Sequence, residues 1–132
     1  MRPVNHVALT PTDKSLTITA DDRDSDVGGN MSHEYRFSYT PGPDYTGPTC
    51  EDGTISQTVS FQRGPVKEVG VNGITNEALI AIVIDRLEGA QEGPFKSRYN
   101  ALAITALQEA ENWLSRRTLD RMSRGVEGQS KA

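Results

Sequence analysis

Ile74-Thr75-Asn76-Glu77-Ala78-Leu79-Ile80-Ala81-Ile82-Val83-Ile84-Asp85-Arg86-Leu87-Glu88-Gly89-Ala90-Gln91-Glu92-Gly93-Pro94-Phe95-Lys96-Ser97-Arg98-Tyr99-Asn100 holds one helix, a hairpin turn and the start of a second helix. Thr75 is a good N-cap, because its hydroxyl can accept one of the orphan N–H groups of a first turn. Ile74 and Leu79 occupy hydrophobic-staple positions, and Glu77 lies near the positive end of the dipole. Gly93-Pro94 is the stop. The apolar residues Ala78, Leu79, Ile80, Ile82, Val83, Ile84 and Leu87 spread over more than one face, which predicts cover on two sides. The second helix is predicted from about Ser97 to Ser123, with Gly125 as its C-terminal breaker. It carries two seams: Leu102, Ala106, Ala110 and Trp113 along one, Ile104, Leu107 and Leu114 along the other. One seam suffices to pack on the first helix and a sheet; the other is left for a second subunit.

Upstream of Gly73 the pattern changes to period two, the signature of strands with one buried face. Ser15 to Ala20 alternates polar and apolar residues; Tyr35, Phe37 and Tyr39 share one face of a second strand, and Ile55, Val59 and Phe61 one face of a third. Asp21–Asn30 and Pro41–Asp52 interrupt these strands. The latter segment holds Pro41, Gly42, Pro43, Gly47 and Pro48, which no strand interior tolerates, so both read as exposed loops. The predicted fold class is α+β: a small antiparallel β-sheet (residues 1–73) packed with a two-helix antiparallel hairpin (74–128), then a short tail (129–132). A single domain that associates through its helices is expected.

Composition narrows the function. At 132 residues the chain is one domain in length and gains from oligomerisation. A net charge of -4 argues against wrapping a nucleic acid polymer, so any anion site must be local. Cys50 is the single cysteine, which leaves neither an intramolecular disulfide nor a cysteine zinc cage. No signal-peptide core is visible near Met1, and the longest apolar stretch, Ala78 to Ile84, is far short of a bilayer span. A soluble cytoplasmic protein is therefore expected.

Arg117 and Arg121 are four residues apart and share a helix face, with Arg124 three further on, so their guanidinium groups could converge on a pyrophosphate. The competing reading is structural. Cations in the last turns of a helix satisfy orphan carbonyls, and Asp120 and Glu127 stand ready to pair with them.

Three groups of residues together resemble the phage Thoeris anti-defence one family. They are the run Gly64 to Glu77; the hairpin Gln91-Glu92-Gly93-Pro94-Phe95 with Arg98 and Asn100; and Arg117-Thr118 through Arg121 to Arg124-Gly125-Val126-Glu127-Gly128. The resemblance covers about Ser56 to Gly128. It implies a non-enzymatic sponge that binds cyclic ADP-ribose isomers made by bacterial TIR-domain defence enzymes, inside the infected host. Some relatives also hold cyclic di- or trinucleotides of the CBASS system in separate pockets of a hexamer. Carried over by position, it implies that Asn100, Arg117 and Arg121 contact the ligand, joined by Arg63, with Phe95, Arg98 and Arg124 nearby. Ala90 stands where family members usually carry an aromatic, and Tyr99 where an acidic residue is usual. Stacking a base on a ring is worth about 1–3 kcal/mol, so Phe95 or a loop tyrosine would have to supply it.

Spacing constrains that site. The 17 residues from Asn100 to Arg117 span roughly 25 Å on one helix, more than a cyclic dinucleotide-sized ligand covers. The turn of one subunit must then meet the arginine end of its partner's helix, giving two equivalent sites per two-fold dimer.

Other motifs are weaker. Asp22, Asp24 and Asp26 with Gly28 start like a calcium loop, but His33 stands at the twelfth position where a closing carboxylate is required. His6 and His33 lack a second ligand or nucleophile at useful spacing. Gly70-Val71-Asn72-Gly73 is no P-loop, since no Gly-Lys-Ser/Thr follows; its backbone amides could still meet an anion. Trp113 reads as core or interface. Two functions remain: sequestration of a cyclic nucleotide signal, or a small oligomeric interaction protein whose arginines only cap helices.

Overall fold

The computed structural model describes residues 1–27 and 29–132, and falls into two compact units, Met1–Gly64 and Pro65–Ala132. Gly28, the glycine of the calcium-loop expectation, lies outside the described residues.

The first unit is a four-stranded antiparallel sheet of order β1-β2-β3-β4, with β1 Arg2–Pro3, β2 Thr17–Ala20, β3 Glu34–Tyr39 and β4 Ile55–Ser60. The register pairs Ile18 with Phe37, Ala20 with Tyr35, Tyr35 with Val59 and Tyr39 with Ile55, so the expected apolar residues share one face. Tyr35 also meets Phe61 edge-on, with ring centroids 5.5 Å apart. β2 starts later than alternation suggests, because Pro11–Ser15 forms a short helix, α1, whose N-cap Thr10 accepts the Asp13 N–H at 3.1 Å. β1 was not foreseen: it has two residues, one a proline tolerated only at a sheet edge.

The loops between strands are organised by side chains. Asp21 Oδ1 accepts the His33 and Glu34 N–H groups at 3.0 and 3.3 Å, and Ser32 Oγ donates to the Asp21 carbonyl at 2.8 Å. Asp24 Oδ1 accepts the N–H groups of Asp26 and Val27, at 3.0 and 3.1 Å, while its Oδ2 lies 2.8 Å from Arg63 Nη2. Asp24 is thus committed to its own turn and to a cation. His33 is buried, and its Nε2 lies 3.1 Å from the Val27 carbonyl, which makes Nε2 the protonated nitrogen in the neutral ring. In the second loop, Tyr45 donates its hydroxyl to the Pro48 carbonyl at 2.9 Å, and its ring occupies the space that a Cβ on residue 47 would need, so any larger residue than Gly47 would displace the ring.

Burial pulls the Asp21 carboxyl upward, but the N–H groups of Glu34 and His33, with the charges of His33 and Arg63, outweigh it and hold Asp21 below its ordinary 3.8. A depressed carboxylate stabilises the fold fully above its unfolded value, and that contribution is lost as pH falls through the folded one. Below about pH 4 the sheet unit is therefore expected to lose stability, and Asp21→Asn, which keeps the acceptor but not the titration, should flatten that dependence. Near-UV circular dichroism of the tyrosines against pH checks this; equal slopes in both proteins would contradict it.

The second unit contains a short helix α2 (Val66–Val69) and the predicted hairpin, α3 (Asn76–Gln91) and α4 (Arg98–Ser123). Thr75 and Ser97 cap the two long helices through the N–H groups of Ala78 and Asn100. The unit begins at Pro65, and the segment around α2 bonds to the far end of the chain: the Lys67 N–H donates to the Gly128 carbonyl at 3.0 Å.

Ile104, Leu107 and Leu114 form the half-buried seam of α4, and Ile84 is the buried centre of α3. The second seam is open: Leu102 and Trp113 are 53% and 69% exposed. Further along α4, Leu119 and Met122 are exposed too, as are Ile82 and Val83 on the α3 face for which a second cover was expected. No helix among the described residues is long and apolar enough to cross a membrane.

Candidate functional site

The candidate residues lie in three places. Asn100, Ala90, Phe95 and Arg98 surround the α3–α4 turn; Arg117, Arg121 and Arg124 lie at the far end of α4; Arg63 belongs to the sheet unit.

The turn is closed by an amide side chain. Gln91 Nε2 donates to the Ser97 carbonyl at 3.0 Å while its Oε1 accepts the Ser97 N–H at 2.8 Å. Asn100 sits one turn into α4, and its Nδ2 donates to the Phe95 carbonyl at 3.1 Å, which fixes the amide plane. Phe95 and Tyr99 flank it, both at least four-fifths exposed, so rings are available beside Asn100 although residue 90 is alanine. Removing both half-buried bonds in Gln91→Ala is expected to cost about 1–3 kcal/mol. Urea unfolding measures that loss, and an unchanged midpoint would show that the clamp is dispensable.

The arginine end separates the two readings of that cluster residue by residue. Arg121 pairs with Glu127 at 3.1 Å and Arg124 with Asp120 at 3.1 Å, the partners that the capping expectation named. The carbonyls that Arg121 satisfies are those of Val126, Gln129 and Lys131, beyond the helix, rather than those of its last turn. Arg116 lies over the exposed Trp113 ring, 5.6 Å from its centroid. Arg117 is exposed and forms no ion pair among the described residues.

Asn100 and Arg117 are on one uninterrupted helix, Arg98–Ser123. At 1.5 Å per residue they are about 25 Å apart, so one chain does not bring them together. Gln91, the clamp of the turn, was missed as a positioning residue. The signal was its place at the end of α3, six residues before the N-cap serine.

A shallow cleft of about 300 Å³ on the sheet unit is lined by Thr12, Ser15, Leu16, Tyr39, Thr40, Pro41 and Gly42. It carries no charged side chain and none of the candidate residues.

Residues 53–119 match the family described as Acb2/Tad1, hairpin domain. Thoeris anti-defense 1 of Bacillus phage SBSphiJ7 is 58% identical over 71 residues, which are 54% of this chain and 50% of that protein. The chain thus spans about half the length of this curated relative. The match runs from just before β4 through Asn100 to just past Arg117, leaving Arg121 and Arg124 beyond it, and covers just over half of the residues: the chain belongs to the Acb2/Tad1 hairpin-domain family.

Proposed function

We propose that this protein is a phage anti-defence protein that binds and sequesters cyclic ADP-ribose-type immune signals, glycocyclic ADP-ribose first among them, without cleaving them. Cyclic di- and trinucleotides are the related ligands to compare. The observation that carries the reading is the placement of a fixed amide, Asn100, and a guanidinium with no ion pair among the described residues, Arg117, at opposite ends of one helix whose outer seam is apolar and open. Antiparallel association of two α4 helices through Leu102, Ala106 and Trp113 would bring one copy's Asn100 to the other's Arg117 and remove apolar surface from water. Family membership and the name of the phage relative, Thoeris anti-defense 1, support the anti-defence role.

Isothermal titration with glycocyclic ADP-ribose, followed by heat release and recovery of the ligand, tests it directly. Saturation at one ligand per chain with unaltered ligand recovered is the expected result. Absence of binding would sink the proposal, and recovery of a changed compound would make the protein an enzyme.

The second reading, an oligomeric interaction protein, is favoured by the engagement of Arg121 and Arg124 in the chain's own contacts. An Arg117→Ala, Arg121→Ala double variant discriminates: an intact oligomer that no longer binds ligand supports sequestration, whereas collapse of the oligomer supports the structural role.

A further inference from the structure

The residues after α4 are gathered by one side chain. Gly125 adopts φ 72°, its N–H reaching the Met122 carbonyl and that of Val126 the Arg121 carbonyl, both at 3.0 Å. This Schellman turn needs a left-handed residue at its centre and sends the chain back over the helix end. Arg121 then takes hold of it. Nε donates to Glu127 Oε2 at 3.1 Å, Nη1 to the Lys131 carbonyl at 2.7 Å, and Nη2 to the carbonyls of Val126 and Gln129 at 2.9 and 3.0 Å. Four of the five guanidinium N–H groups are engaged, and the side chain is only 11% exposed. The Lys67 N–H holds the other side through the Gly128 carbonyl.

These partners are all oxygen acceptors, one of them a carboxylate. A phosphate would offer Arg121 the same chemistry. Arg117, one turn earlier, has no such occupant among the described residues. We propose that residues 126–131 form a strap that occupies the Arg121 half of the arginine site, and that a phosphate-bearing ligand binds Arg121 only by displacing it.

The proposal rests on reading this helix end as the ligand site and adds a cost to it. If the strap is open in one molecule in ten, apparent affinity falls about tenfold from that of the open state. Glu127 supplies the charged part of the grip, so neutralising it shifts the balance towards the ligand. The released carbonyls and Glu127 lie near the surface, where water replaces Arg121 as their partner.

The test uses the full chain and its Glu127→Gln variant, with glycocyclic ADP-ribose and inorganic pyrophosphate as probes. Calorimetry gives affinity. Amide hydrogen exchange at Gln129 and Lys67, which donate to the Val126 and Gly128 carbonyls, reports the strap. Glu127→Gln is expected to bind a probe threefold to tenfold tighter, and saturating probe should speed exchange at both amides at least tenfold in the parent protein. The Val126 amide, inside the Schellman turn, should not change. If glycocyclic ADP-ribose binds both proteins equally and the two amides are unchanged or slowed, the strap is overturned and the sequestration reading stands. If only pyrophosphate binds, and opens the strap, the strap stands and that reading fails. If neither probe binds either protein, both fall.

Discussion

Mixing Asn100→Ala protein with Arg117→Ala protein is expected to restore glycocyclic ADP-ribose binding at an affinity that neither variant has alone. Each homodimer would lack one half of both sites. Truncating one partner of a desolvated charge pair costs about 2–5 kcal/mol, so Arg117→Ala alone should weaken binding from about thirtyfold to several thousandfold. After co-refolding, random exchange makes half of the dimers mixed, and each mixed dimer carries one intact site and one doubly defective site. About a quarter of the parental binding capacity should therefore return, at parental affinity. The separation of Asn100 and Arg117 along α4 makes this outcome specific. Recovery of no sites at all, with mixed dimers demonstrated by mass, would mean that the two residues do not serve one ligand.

Trp113→Glu is expected to halve the native mass, or reduce it further where dimers assemble into larger rings, and to abolish ligand binding, while far-UV circular dichroism stays unchanged. Trp113 is exposed in the isolated chain and does not belong to the Ile104, Leu107 and Leu114 seam, so the hairpin itself does not depend on it. Against a second copy, the substitution would bury a carboxylate in apolar surroundings beside Leu102, a cost of several kcal/mol. It also removes the ring on which Arg116 rests. Sedimentation and calorimetry on one sample provide the check. Retained mass together with retained binding would show that the outer seam is not the interface.

The elements legible in the sequence were those written by a local rule. Alternation revealed the three longer strands, and Thr75 and Ser97 marked helix starts that their hydroxyls do cap. β1 was hidden because two residues cannot display a period, and α1 because Pro11–Ser15 lies against the start of an alternating run. Helical spacing identified both seams of α4, but periodicity carries no information on which one faces α3. At the turn, the exposure of Phe95 and Tyr99 beside Asn100 depends on packing that residue spacing does not display. The grip of Arg121 on the strap was only half visible. Glu127 could be named from its charge, whereas the carbonyls of Val126, Gln129 and Lys131 belong to a backbone path that no side chain announces.

The uninterrupted α4 also limits how this chain can change in length. Each inserted residue would move Asn100 and Arg117 apart by about 1.5 Å and turn one relative to the other by about 100°, whereas a loop absorbs insertions with little entropy cost. Insertions in the segments around Asp21–Asn30 and Pro41–Asp52, which belong to the other unit, leave the length and phase of α4 itself unchanged. For the proposed two-copy site, a single insertion or deletion within the helix should be as damaging as loss of Asn100 or Arg117, because the rod is a ruler as well as a support.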